Sequence, residues 1–265
     1  MSYKKAGSLL IVAVITSTIA RNALAYDDPC GGLLNLVDRP SNLDSVCSVP
    51  FNQGMLEMGY QYQELYKPDG QQHNLPTAEV RIGLPANNEL SVILPNYIHQ
   101  NRVPHYGNTA TTVILKHEIG YNQTWVGAVE ALVTLPDGSS SFGSNGVGTS
   151  INAIASYTIN PKLNLTFSLA GSTQTTPSQS GGQRYTTVNP DVVFTYSPSE
   201  KCDVYAEVFG QSKTGPGESS GFNTDAGVLF LINPHWEIDF EIGQRISGAL
   251  NSLNHFIGTG TALLF

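Results

Sequence analysis

Glu237, Asp239 and Glu241 stand at every second position of Trp236 to Ile246. Paired carboxylates are the groups from which general acid and base chemistry is built. The spacing also has a plainer reading, because alternate residues of an extended chain share a face. The three acids then form one stripe opposite Trp236, Ile238, Phe240 and Ile242, and a wall charge facing water explains them without catalysis. Other candidates for chemistry are weaker. None of the six histidines is followed two residues later by Ser, as a barrel phospholipase would need to set a hydroxyl nucleophile beside its base on an outward strand face. His117 is the one histidine well inside a predicted strand, and a structural or interior role suits it better than catalysis. His99 and His105 share a loop but have no further ligand at metal spacing. The glycine-rich stretches 143–148 and 215–221 lack the Lys and the strand-to-helix context of a phosphate loop. Neither an enzyme, a metal site nor a cofactor is expected.

The elements that carry these residues alternate with period two from Gly54 onward. Leu56, Met58, Tyr60 and Tyr62 oppose Glu57, Gln61 and Gln63, and Ala78, Val80, Ile82 and Leu84 oppose Glu79, Arg81 and Gly83. After the turn Pro85 to Asn88, Leu90, Val92 and Leu94 oppose Glu89 and Ser91, which makes a hairpin. Further strands are predicted at Thr111 to Tyr121, Thr124 to Leu135, Val147 to Ile159, Leu163 to Thr175, Tyr185 to Tyr196, Cys202 to Gln211, Phe222 to Ile232, Trp236 to Ile246 and His255 to Phe265. With Met55 to Tyr66 the total is twelve, an even number as single-chain outer-membrane barrels require. Short turns rich in Asn, Pro and Ser alternate with longer polar loops such as Lys67 to Asn74, His99 to Thr109 and Lys213 to Gly221. The fold class expected is all-β: a transmembrane antiparallel up-and-down β-barrel with short periplasmic turns and longer extracellular loops. A secreted β-sandwich is the rival, but the strands have the length of about ten residues that a tilted membrane crossing needs.

Both ends of the sequence agree with export. Residues 1–25 read as a signal peptide cleaved after Ala25, with Lys4 and Lys5, an apolar run and Ala23-Leu24-Ala25. Polar Thr16, Ser17 and Thr18 break that run before it reaches the roughly 20 apolar residues of a membrane span. At the other end Gly260, Leu263 and the terminal Phe265 look like the signal read by the barrel-assembly machinery. The division expected is therefore 1–25 signal peptide, 26–53 periplasmic N-terminal segment and 54–265 barrel. Leu33, Leu34, Leu36 and Val37 suggest a short helix ending before Pro40, in the periplasm or tucked into the barrel mouth. Cys30 and Cys47 are the natural disulfide pair in an exported chain, leaving Cys202 as the third cysteine.

Composition fits a bacterial outer-membrane location and lipid as a partner. Only 13% of residues are charged and 40% are hydrophobic, the average produced when apolar and polar residues alternate between lipid and water. A net charge of -8 with no basic stripe argues against nucleic acid.

Thr77-Ala78-Glu79-Val80-Arg81-Ile82-Gly83-Leu84, Asn88-Glu89-Leu90-Ser91-Val92 and Pro95-Asn96-Tyr97, together with Glu57-x-Gly59-x-x-Tyr62, resemble the early strands of the outer-membrane family named for the MetA pathway of phenol degradation. The resemblance extends over roughly Gly54 to Phe265. It implies a barrel, often called a transporter, whose link to aromatic uptake rests on the family name, and it assigns no binding residues.

If the apolar face meets lipid, the lumen receives Glu57, Gln61, Glu79, Arg81, Lys116, Glu118, Glu130, Asp225, Glu237, Asp239, Glu241 and Arg245, with Asp191, Asp203 and Glu207 beside them. Acids outnumber bases there. The function expected is passage of small neutral, aromatic or cationic solutes through an acidic lumen. A non-transporting structural or surface-interaction barrel is the alternative, and a barrel enzyme such as a phospholipase is disfavoured.

Overall fold

The computed structural model describes residues 28–66 and 69–265. The predicted signal peptide therefore lies outside the described residues. A 14-stranded antiparallel sheet dominates the chain, and twelve of its strands close into a barrel. They are β1 (Gly54–Leu65), β2 (Gly70–Leu84), β3 (Asn88–Ile93), β6 (Thr112–Tyr121), β7 (Trp125–Thr134), β8 (Gly148–Asn160), β9 (Leu163–Thr175), β10 (Arg184–Ser199), β11 (Cys202–Gln211), β12 (Gly221–Asn233), β13 (Trp236–Ser247) and β14 (Leu253–Leu264). Each pairs with its sequence neighbours, and β1 closes the ring by pairing with both β2 and β14. Closure leaves no free edge, the condition under which a sheet can cross lipid.

The remaining strands, β4 (Tyr97–Gln100) and β5 (Tyr106–Asn108), lie where a plain loop from His99 to Thr109 is predicted. Leu94, Pro95 and Asn96 interrupt the edge that begins as β3, and β4 resumes pairing with the upper part of β2. Proline supplies no ladder N–H, so the break falls where the sequence forbids continuation. β2 is longer than expected, starting at Gly70 rather than Thr77, because its first residues pair with β1 on one side and β4 on the other.

Outward positions carry the apolar residues. Leu115, Ile119, Ile151, Leu169, Phe240, Ile242 and Ile257 are each at least half exposed, which marks a lipid-facing belt rather than a defect of packing. Aromatics gather at the periplasmic rim, where the Trp125 and Tyr157 rings lie 4.7 Å apart and Trp236 donates its indole N–H to Thr261. Such rings favour the interface.

Residues 28–53, expected in the periplasm or tucked into the barrel mouth, lie inside the barrel. After the short helix α1 (Leu33–Leu36) the chain crosses the bore and returns to Gly54 inside the barrel, tied by the Cys30–Cys47 disulfide. Leu33, Leu36, Val37, Leu43, Val46 and Val49 pack against inward-facing Val126, Ala128, Ile154, Val193, Leu229 and Ala262. The interior therefore has an apolar layer that alternation alone would have assigned to polar residues.

Candidate functional site

The site is the barrel interior and the segment lying across it. Cross-strand register fixes which side chains point inward. Glu57 on β1 opposes Glu79 on β2 and Ala262 on β14, while Lys116 on β6 opposes Glu89 on β3 and Glu130 on β7. Asp225 opposes both Glu207 and Gly243, and Glu237, Asp239 and Glu241 oppose Ala262, Gly260 and Gly258. Of the twelve residues assigned to the lumen from sequence, Glu57, Arg81, Lys116, Glu118, Glu130, Asp225, Glu237, Asp239 and Glu241 are buried, whereas Gln61, Glu79 and Arg245 are half-buried. Burial of so many ionisable groups requires partners.

Much of that partnership comes from the N-terminal segment. Glu57 accepts the backbone N–H groups of Asp38 (3.1 Å) and Arg39 (2.8 Å), and Glu207 on the opposite wall accepts those of Asn42 (2.9 Å) and Leu43 (2.9 Å). Glu89 accepts the N–H of Val49 at 2.6 Å. Adjacent amides presented to one anion form a concave nest, and charge-assisted bonds of this kind are about twice as strong as neutral ones. Inward-facing acids were expected to meet open water; these three are capped by main chain instead.

Basic groups supply further partners, although neither oxygen of Glu237 has one. Arg81 is fully buried and pairs with Glu89 (2.8 Å), Glu57 (2.8 Å) and Asp38 (3.0 Å). Lys116 donates to the Ser45 carbonyl at 2.9 Å and lies 3.2 Å from Glu130. Arg39 binds both oxygens of Asp239 and donates to Thr77 at 2.8 Å. Gln61 donates to Glu241 at 3.1 Å, and the Arg245 guanidinium lies over the Tyr66 ring at 3.7 Å.

Three inward-facing glycines make room for the segment. A β-carbon on Gly59 or Gly260 would overlap the Arg39 guanidinium, and one on Gly83 would overlap the Val49 and Pro50 carbonyls. Gly260, read from sequence as part of an assembly signal, thus has a packing role. Leu263 and Phe265 of the same signal point outward, and the Phe265 main chain exchanges two hydrogen bonds with Gly54.

Above the segment a cavity of about 280 Å³ opens on the extracellular half, floored by Asn42, Leu43 and Asp44 and walled by β3 and β6 to β11. Its wall carries Ser150, Asn152, Ser168, Ser172, Asn189 and Asp191. Asn152 and Asn189 were not singled out from sequence, because amides on strands carry no periodic signal of their own. Arg39 and Asn42 were missed because their segment does not alternate. The inward glycines were the available clue, since glycine within a strand marks close approach of another backbone. Among the described residues no helix is long and apolar enough to cross a membrane, and no group of metal-ligating side chains assembles.

A family model described as "Putative MetA-pathway of phenol degradation" matches residues 66–264. No curated protein matches the sequence. Among solved structures, the chain is similar to the COG4313 outer membrane channel from Pseudomonas putida F1, with a TM-score of 0.67, 10% identity, and coverage of 85% of this chain and 100% of that one. It is also similar to the KdgM porin in complex with disordered oligogalacturonate, with a TM-score of 0.56, 9% identity and coverage of 80% and 99%. The NanC porin follows at a TM-score of 0.53 and 12% identity, with coverage of 79% and 98%. At these identities the likeness is one of fold.

Proposed function

We propose that this chain, which belongs to the family named for the MetA pathway of phenol degradation, is an outer-membrane channel for small neutral, aromatic or cationic solutes. One observation carries the reading. Across a polar-walled bore lies only a short segment, held to the wall by hydrogen bonds, ion pairs and apolar contacts and joined covalently to it at Gly54. Such a hold can be released without breaking the barrel. Carboxylates outnumber basic groups on the wall, and focused negative potential enriches cations and repels anions. The aromatic part of the reading is supported by the family description alone.

The packed apolar layer around Leu33 and Leu36 favours one rival, a permanently closed barrel with a structural role. Planar-bilayer recording separates the two. The channel reading expects conductance, with cation preference at low salt that falls in Glu237→Gln/Glu241→Gln and falls less at high salt, where screening shortens the reach of charge. These changes leave Asp239 and its Arg39 partner in place. Absence of conductance in every preparation would sink the channel and leave the structural role.

A further inference from the structure

Three buried acceptor atoms of the extracellular-side cavity meet no donor of the protein that would satisfy them. The Asn152 amide nitrogen donates to Glu130 at 3.0 Å and that of Asn189 donates to Ser172 at 2.8 Å, which turns both amide oxygens away from those bonds. Asp191 accepts from the Asn42 amide through one oxygen at 2.9 Å. The two amide oxygens are buried without a hydrogen-bond partner in the protein, and the second oxygen of Asp191 meets no donor there beyond the neighbouring Glu207 carboxyl group. Asn152 and Asp191 are only 9% and 5% exposed. A buried acceptor left unmatched costs free energy, on the order of 1–3 kcal/mol.

No Lys, Arg or His lines this cavity, and Asp44 adds a second carboxylate residue to it. The nearby buried cations are engaged elsewhere, Lys116 by Ser45 and Glu130 and Arg81 by Glu57, Glu89 and Asp38. Leu43, Ile93 and Leu132 supply an apolar flank. Asn152 and Asn189 both pair with Ala170, one from each side. Their backbones therefore stand about 10 Å apart across two strand spacings. A bare metal ion, whose ligands sit at about 2.5 Å, suits that separation poorly. A ligand with several N–H donors and a hydrocarbon body suits it well, and the methyl of Ala170 leaves a notch between the two amides.

We propose that this cavity is a binding site for a compact organic amine in its protonated form. The ammonium group satisfies Asp191 and an amide oxygen, and the hydrocarbon body lies against Leu43, Ile93 and Leu132. The proposal deepens the channel reading and rests on it, since the ligand reaches the cavity through the interior.

Calorimetric titration of the full chain in detergent micelles tests it with benzylamine, benzyl alcohol and benzoate as cationic, neutral and anionic probes of similar size. Benzylamine is expected to bind at least about tenfold tighter than benzyl alcohol, as a charge-assisted bond outweighs a neutral one, and benzoate is expected not to bind. Asp191→Asn should remove the preference for the amine, while Ala170→Leu should fill the notch and weaken both amine and alcohol. Folding of each variant is checked by its heat-modifiable gel mobility. Equal binding of alcohol and amine, tightest binding of benzoate, an amine preference that survives Asp191→Asn, or unchanged benzylamine binding in a folded Ala170→Leu protein would each overturn the proposal. Titration in micelles needs no current through the barrel. A conducting barrel that ignores benzylamine refutes this site alone, and one that binds benzylamine but never conducts refutes the channel alone.

Discussion

Arg39 and Asp239, 200 residues apart in sequence, meet inside the barrel through two side-by-side hydrogen bonds of 3.2 and 3.1 Å. This planar, two-pronged contact fixes the crossing segment to β13 at a single orientation. Breaking a buried pair by removing one partner costs roughly 3–5 kcal/mol, and the slight exposure of Arg39 places this pair at or below the lower end. Arg39→Ala is therefore expected to loosen the segment and raise single-channel conductance or opening frequency. Recordings indistinguishable from those of the unaltered protein would show that the segment does not limit current.

Gly59 and Gly260 face each other across β1 and β14 beneath that guanidinium. Gly59→Val and Gly260→Val should give the same result as Arg39→Ala, because either side chain occupies the space of Arg39. Surface level and conductance are the two measurements. If Gly260→Val alone lowers the amount of barrel at the surface, the residue acts in assembly rather than in seating Arg39.

The Cys30–Cys47 bridge closes a loop at a separation of 17 residues, a length for which chain entropy gives about 3 kcal/mol. Reduction should expose the segment to protease while the barrel keeps its heat-modifiable mobility. Peptide mapping should find Cys202, half-buried and free, alkylated without reductant and the other two only with it. A segment equally resistant in both redox states would mean that wall contacts suffice to hold it.

Deleting Phe265 removes the main-chain pair with Gly54 as well as an outward aromatic ring. Less barrel should reach the surface, although the strands of the fraction that inserts keep their far-ultraviolet spectrum. Undiminished surface levels would contradict an assembly role for the terminal residue.

The barrel was legible in the sequence because alternation is a local, repeated signal. Trp236 to Ile246 shows this well, with its acids inward and Trp236, Phe240 and Ile242 outward as its period requires. Strand edges were less legible. The start of β2 at Gly70 depends on pairing with Leu65 of β1, joined from Gln72 onward by β4, which no residue of β2 announces. The interior was half legible. Period two assigns a face to Glu57 and Arg81, but it does not reveal that Glu57 meets the amides of residues 38 and 39, since that contact joins a periodic element to an aperiodic one.

Three of the acids that hold the crossing segment recognise main chain rather than side chains. Glu57, Glu89 and Glu207 grip the N–H groups of residues 38, 39, 42, 43 and 49, and nearly every amino acid carries an equivalent N–H. These bonds by themselves place no demand on the side chains at 42, 43 and 49; the demand there comes from the burial of Leu43 and Val49 and from the bond of the Asn42 amide to Asp191. Proline is the exception. It has no N–H to give, so a proline at any of these positions would leave a buried carboxylate short of a donor, and related chains that keep this path should avoid it there even where their residues otherwise differ.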